Sequence, residues 1–282
     1  MHLKRSFAVI GGDMRQRCLL RQLRGLGFSA SSYRVPDTQD SAPELPGCIR
    51  DANVLLLPMP AFSGPETVRA EGGGVPLAAI LDAAGPDALV CGGMLGPAED
   101  ALRARGLSFF DYAKDETLLL QNAELTAEAA LPLLLERLSC PLAGSRLLLC
   151  GFGRIGKLLA RKLRALGADV TVSARKPQAL ELARILGYRR VRTDSLTDAL
   201  AQYDAIVNTV PAQLIGPEQL RSVRTGCVLL ELASLPGGFC AEAQALPGYC
   251  AARGLPGKYA PETAAAIIRS AIFRELNLEE AR

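Results

Sequence analysis

Two stretches of the chain repeat one hydrophobic pattern. Residues 6–35 read SFAVIGGDMRQRCLLRQLRGLGFSASSYRV, and residues 146–176 read RLLLCGFGRIGKLLARKLRALGADVTVSARK. Each opens on an apolar run of strand length, passes a glycine turn and continues with apolar residues at helical spacing. In the second copy these are Ile155, Leu158, Leu159, Leu163 and Leu166. Superposing Gly11 on Gly151 also superposes Gly27 on Gly167, and each of the latter follows a leucine where a left-handed residue stops a helix. A second strand comes next. Both copies predict a strand–helix–strand unit, and right-handed crossovers make each the start of a parallel sheet.

The alternation continues on both sides. LARILGYRRVRTD (182–194), YDAIVNTVP (203–211) and GCVLLELASLPGG (226–238) extend the second unit, while DANVLLLPMP (51–60) and DALVCGGMLGP (87–97) supply strands to the first. Between the last two, GPETVRAEGGGVP (64–76) reads as a glycine-rich mobile loop. NAELTAEAALPLLLERL (122–138) predicts a helix joining the halves, kinked at Pro132. PETAAAIIRSAIFREL (261–276) predicts a final helix with Pro261 in its first turn, returning toward the N-terminal half by analogy with two-domain dehydrogenases. The expected fold class is α/β, two Rossmann-like domains with parallel sheets, related in plan to two-domain D-hydroxyacid and alanine dehydrogenases. Residues 1–121 would form a Rossmann- or flavodoxin-like substrate or partner domain and 122–140 the connecting helix. Residues 141–260 would form a second Rossmann domain and 261–282 the returning helix.

Composition narrows the function classes. A length of 282 residues suits two cores, and with no Trp and 5% aromatics those cores are mostly Leu, Ala and Val. A net charge of +3 is too small to imply nucleic-acid or anionic-membrane binding. The apolar run Phe7–Ile10 is too short for a signal peptide, and no run of 18 apolar residues predicts a membrane span. The eight cysteines form no CxxC pair and the sole histidine is His2, which argues against a metal site. Most cysteines lie in apolar runs and read as reduced core thiols of a cytoplasmic protein.

Chemistry enters where the two copies differ. In the second, Gly151, Gly153 and Gly156 complete GxGxxG: a tight turn, close backbone approach to a pyrophosphate, and close helix–strand packing. Phe152, Arg154 and Ile155 lie in the same turn, whose helix N-terminus offers N–H groups to phosphates, and Arg154 adds a cation. In the first copy Asp13 replaces Gly153 and Gln16 replaces Gly156. A carboxylate there would repel a pyrophosphate, so the first unit should not bind a dinucleotide. Asp13 reads either as a ligand-facing group or as a plain helix N-cap. At the end of the second strand after CGFGRIG, Ser173 and Ala174 occupy the place where NAD-binding folds carry an acid, followed by Arg175 and Lys176. This favours NADP over NAD, although NAD also remains open. Asn208, Thr209 and Pro211 would border the cofactor's path, with Ala233 and Ser234 beside the nicotinamide.

The chain resembles the A-subunit family of the dipicolinate synthases of spore-forming bacteria. The resemblance rests on AVIGGDMRQ, Asn122 with Thr126-Ala127-Glu128, CGFGRIG, VSARK, NTVP, ELASLPGG and GLPGKYAPETA (254–264), and runs from about residue 7 to 270. Ala129 stands where the family pattern has glycine, and Lys258-Tyr259 where it has apolar residues. The resemblance implies an oxidoreductase forming dipicolinate (pyridine-2,6-dicarboxylate) from a dihydrodipicolinate-type precursor of the lysine pathway. It also implies a flavoprotein-like second subunit, an oligomeric assembly, and a place in the mother cell of a sporulating bacterium. Oxidising a dihydropyridine needs a hydride acceptor and a base, and Glu128 or Asp13 is a candidate base. Arg15, Thr126, Ser234, Pro261 and Thr263 are candidate substrate contacts. Hydroxyacid chemistry, which commonly uses histidine, is disfavoured because His2 precedes the first strand. The competing readings are a small-acid dehydrogenase and a non-catalytic cofactor-binding or regulatory subunit.

Overall fold

The computed structural model describes residues 5–196 and 198–278; His2 lies outside them. The chain forms two compact units, Met1–Asn122 with Ala260–Arg282, and Ala123–Tyr259. In the first, β1 (Ser6–Ile10) leads to α1 (Met14–Gly25), β2 (Ser29–Tyr33), α2 (Leu45–Ile49) and β3 (Val54–Leu56). A ribbon of β4 (Phe62–Gly64), β5 (Thr67–Val68) and β6 (Val75–Pro76) follows, then α3 (Leu77–Ala83), β7 (Leu89–Gly92), α4 (Glu99–Ala104) and β8 (Ser108–Asp111). The helix α5 (Glu116–Arg137) passes from the first unit to the second. There β9 (Arg146–Cys150), α6 (Arg154–Ala165), β10 (Asp169–Ala174), α7 (Pro177–Ile185), β11 (Arg189–Arg192) and β12 (Ala205–Asn208) alternate. They are followed by α8 (Pro217–Arg221), β13 (Val228–Glu231), β14 (Tyr249–Ala251) and α9 (Leu255–Tyr259), and α10 (Pro261–Glu275) ends the chain in the first unit.

Both main sheets are wholly parallel. The first has the order β2-β1-β3-β7-β8, and the second β11-β10-β9-β12-β13-β14. Strand order therefore reverses between β1 and β3 in one and between β9 and β12 in the other. Reversals of this kind leave a crevice at the carboxyl edge, where open parallel sheets bind ligands. The central strands are near-continuous apolar runs, as in parallel sheets covered on both faces, whereas the edge strands β2 and β11 are polar. Phe7–Ile10, Leu147–Cys150 and Val228–Leu230 are all buried.

The final helix completes the first core. α10 buries Ala264, Ala265, Ile268, Ala271, Ile272 and Phe273, and it packs on α1. Phe28 bridges Phe7 and Phe273 edge-to-face, with ring centroids 5.3 and 5.5 Å apart. Burying a Phe or Ile of this kind contributes about 1.5–3 kcal/mol. In the second unit, Ala127, Ala130 and Leu134 of α5 join Leu147, Leu149, Leu159 and Leu163 in one cluster.

Two local expectations change. The stretch 64–76 is not a loop: β4–β6 form an antiparallel ribbon stapled down by Val68 and Val75, both buried in the core. Apolar anchoring outweighs its glycine content. The connecting helix expected over 122–138 begins earlier, at Glu116, and runs to Arg137 with Pro132 inside it.

Candidate functional site

The second unit's glycine turn sits at the β9/β12 reversal. Gly151 has φ +100°, and a Cβ there would overlap the Thr209 hydroxyl. Thr209 Oγ1 donates to the Cys150 carbonyl at 2.9 Å, tying the end of β12 to the end of β9. A Cβ on Gly156 would overlap the Gly151 carbonyl oxygen, so this glycine is what lets α6 approach the turn. Gly153, by contrast, is exposed with an ordinary φ of −82°, and a Cβ there would meet nothing within 4 Å. Gly153 caps α6 without any side-chain hydrogen bond. The three glycines thus serve a turn, an open approach and a close packing, and the helix N-terminus is not covered by a cap side chain. These features fit a dinucleotide's diphosphate. Arg154 is exposed and Ile155 half-buried, while the Phe152 ring points into the core, edge-to-face on Tyr188 at 5.9 Å. Only the backbone of Phe152 belongs to the turn's edge.

At the end of β10 the structure corrects one expectation. Ser173 is 0% exposed and its hydroxyl shares a 2.8 Å hydrogen bond with Thr193 Oγ1, which braces β10 against the end of β11. It does not face a ligand. Arg175 and Lys176 are exposed there, on a strand end that carries no acid.

A residue not singled out in the sequence organises the neighbouring strand ends. Glu231, 1% exposed, accepts from Asn208 Nδ2 at 2.7 Å, from the Ala233 N–H at 3.0 Å and from the Gly238 N–H at 2.7 Å. Asn208 is buried too, and both ends of its amide bond to the Val210 main chain, at 2.9 and 3.1 Å. Both side chains are spent on holding loops in place. Asn208 is therefore a positioning group rather than a ligand contact. Ala233 is buried with its carbonyl bound by Arg253 Nε at 3.0 Å; Ser234 and Pro211 are exposed. An acid at the end of an apolar strand, before Leu232-Ala233-Ser234, was the available signal for Glu231: a carboxyl group buried in a parallel sheet needs several donors.

The first unit's turn uses the same chain path differently. Asp13 is the N-cap of α1, with a reciprocal capping box through Gln16, so the plain N-cap reading describes its local role. Its carboxylate also takes one edge of the Arg15 guanidinium, Nε at 2.9 Å and Nη2 at 2.6 Å. Arg15, 7% exposed, gives its remaining reach to the Met59 carbonyl at 2.5 Å. Arg15 is therefore held largely by the protein itself, through Nε and Nη2, and its charge is paired with Asp13 rather than free for a substrate. Asp13 changes standing as a base as well. Burial alone would push its carboxyl up, but the hydrogen bonds and charge of Arg15, with Arg69 adding, hold it below the usual carboxylate range. Such a group is a poor proton acceptor at neutral pH.

The other candidates separate. Thr126 is buried and Glu128 exposed, two residues apart on α5 and so on different faces. Glu128 Oε1 accepts from the Tyr259 hydroxyl at 3.4 Å. Pro261 opens α10, Thr263 is exposed, and the first turn already holds an acid of the chain's own: Glu262, ion-paired with Arg21 and bonded by Gln22. An acid in the first turn of a helix is favoured by the helix dipole, and this one is engaged by Arg21 and Gln22. Burial pushes the Cys18 thiol up to about 11 and those of Cys150 and Cys227 up to about 12, so none is a nucleophile at neutral pH. Among the described residues no group of three or more His, Cys, Asp or Glu could hold a metal ion, and no helix is long and apolar enough to cross a membrane.

Comparison with known proteins adds the family context. Residues 6–113 match the N-terminal domain of the dipicolinate synthase A-subunit family, and residues 134–234 match the NAD-binding domain of D-isomer specific 2-hydroxyacid dehydrogenases. The dipicolinate synthase A subunit of Bacillus subtilis (strain 168) is 27% identical over 295 residues, covering 98% of this chain and 98% of that protein. This chain resembles it from end to end. The crystal structure of the corresponding subunit from Bacillus halodurans has the same fold, with a TM-score of 0.83 at 22% identity over 99% of this chain and 100% of that one. An L-alanine dehydrogenase shares the fold at a TM-score of 0.61 and 16% identity, covering 95% of this chain and 88% of that one. The fold is thus the two-domain dehydrogenase plan expected from the sequence, and the second unit is an oxidoreductase-type domain for a nicotinamide cofactor.

Proposed function

We propose that the chain is the NADP-dependent oxidoreductase subunit of a dipicolinate synthase. It would oxidise a dihydrodipicolinate-type dicarboxylate of the lysine pathway to pyridine-2,6-dicarboxylate. It would work in the cytoplasm of a sporulating mother cell, in an oligomer with a flavoprotein-like second subunit. The observation that carries this reading is the Gly151–Gly156 turn, open at Gly153, in a chain similar over 98% of its length to the A subunit of a dipicolinate synthase.

The division of labour follows from the two turns: the second unit binds the cofactor and the first grips the substrate. The backbone from Gly151 to Gly156 cradles the diphosphate, and Arg175 with Lys176 receives the 2′-phosphate. Thr209, Pro211, Ala233 and Ser234 lie on the same carboxyl edge, held there by Asn208 and Glu231. NADP⁺, when bound, supplies a hydride acceptor. Because the product is aromatic the oxidation runs downhill, so the protein's contribution is mainly orientation and proton removal. With Asp13 held by Arg15, Glu128 is the base of this scheme. It takes the proton at a carboxylate oxygen, and the Tyr259 hydroxyl orients the group.

The test mixes purified chain, alone and with its partner subunit, with NADP⁺ and the freshly made precursor, and follows NADPH and product absorbance. Growth of both signals in either preparation supports the reading; silence in both removes it. The locked Asp13–Arg15 pair favours one alternative, a cofactor-binding subunit without chemistry of its own. In that case NADP⁺ binds and never turns over.

A further inference from the structure

Arg69 is clamped by its main chain on both sides. Its N–H donates to the Ala61 carbonyl at 2.9 Å, and its carbonyl accepts from the Gly12 N–H at 2.8 Å. Gly12 follows β1 and Ala61 follows β3. The two strands are neighbours, and the order of the sheet reverses between them. Arg69 therefore stands at the one point of this sheet where the crossovers diverge and a ligand crevice forms.

The glycines of the turn make this placement possible. Gly11 and Gly12 have φ of +66° and +98°, and a Cβ on Gly11 would overlap the Arg69 carbonyl oxygen. The ribbon that carries Arg69 is anchored by buried Val68 and Val75, and Arg34 Nη1 holds its far turn through the Gly73 carbonyl at 3.1 Å. An exposed side chain thus springs from a fixed backbone.

Beside the Asp13–Arg15 pair, Arg69 is a further cation that is in no ion pair among the described residues. Asp13 and Arg15 neutralise each other, and Arg15 is buried. Arg69 is exposed, and its charge is felt at Asp13. Three amides of the turn that a phosphate would need are already used: Gly12 N–H is bonded to Arg69, Asp13 N–H to Gln16 Oε1, and Arg15 N–H to Asp13 Oδ1. A dianionic phosphate would also meet the Asp13 carboxylate. A planar monoanion matched to a guanidinium fork is what the group suits.

We infer that Arg69 is the cation of a carboxylate-binding subsite at the β1/β3 reversal, taking one carboxylate of the dicarboxylate substrate. The identity of that substrate rests on the function proposed above. The subsite itself rests on the clamp and the charge balance.

Calorimetric titration of the full chain separates the two. The probes are pyridine-2,6-dicarboxylate and glutarate, each with the parent protein, Arg69→Ala and Arg69→Lys. NADPH titration and thermal melts serve as controls. The parent should bind pyridine-2,6-dicarboxylate, and Arg69→Ala should raise that Kd by about 10- to 100-fold, the worth of a charge-assisted hydrogen-bonded pair. Arg69→Lys should lose less, and NADPH affinity and melting should be unchanged, because the clamp uses backbone atoms. Equal Kd values in parent and Arg69→Ala overturn the subsite and leave the proposed function standing. Glutarate binding that depends on Arg69, with no pyridine-2,6-dicarboxylate binding, upholds the subsite and removes the proposed substrate. No binding of either probe to the parent overturns both.

Discussion

After β1, the glycine turn closes on the protein's own atoms: Gly12 N–H on Arg69, Asp13 N–H on Gln16, Arg15 N–H on Asp13, and the Arg15 guanidinium on Asp13 and Met59. After β9, the turn of matching position has a glycine N-cap with no cap side chain and open space beside it. The two turns share strand, helix and helix-stop glycine. They differ in whether the helix N-terminus is already satisfied. An N-terminus that carries its own carboxylate has no use for a phosphate, whereas a bare one still has unfilled donors. The same βα unit can thus serve as a scaffold in one place and as a binding site in another, through Asp13, Arg15 and Gln16 standing where Gly153, Ile155 and Gly156 stand in the other turn.

The largest expected effect comes from making the second turn like the first. Gly153→Asp fits sterically, and an N-cap aspartate supports a helix, so melting should not fall. NADPH affinity should drop by about 100-fold or more, since a carboxylate facing the diphosphate costs about 3 kcal/mol or more at intermediate dielectric. Retained affinity in titration would show that the diphosphate binds elsewhere. The reciprocal test empties the first turn. Arg15→Ala should lower stability by about 1–2 kcal/mol, less than for a fully buried pair because the Asp13 side chain is 47% exposed, while NADPH Kd stays unchanged. Denaturant unfolding with a parallel cofactor titration reads both.

Arg175→Ala should raise the Kd for NADPH about tenfold and leave NADH nearly unaffected, by loss of one charge-assisted contact. A parent protein that binds both equally would already contradict the NADP preference. The smallest effect concerns acid. The folded-state pKa of Asp13 is depressed, so its stabilisation is present above the ordinary carboxylate range and is lost as pH falls through the lower folded value. Asp13→Asn should therefore flatten the acid limb of a stability–pH curve below that range, with little change near neutrality beyond the loss of the ion pair itself. An unchanged acid limb would mean that Asp13 does not ionise differently on folding.

Several of these residues were readable in advance and several were not. Gly151, Gly153 and Gly156 carry their roles in their spacing, because the geometry they serve is local to one turn. Asp13 as an N-cap was legible for the same reason. Arg15 looked like a free cation because the Met59 carbonyl that binds its Nη2 comes from another strand end. Ser173 looked ligand-facing until Thr193, on the next strand, claimed its hydroxyl. Glu231 and Arg69 drew no attention, since the first is explained only by donors from two loops and the second only by the backbone clamp on the ribbon.

The sequence by itself determined the alternation of strands and helices, the two parallel sheets and the turn able to receive a diphosphate. These follow from periodicity and from backbone freedom over a few neighbouring residues. Only the tertiary structure decided which polar groups are still available to a ligand. A donor or acceptor is used up by whichever distant backbone atom the fold brings within about 3 Å, and that pairing is fixed by topology rather than by the residues alongside it.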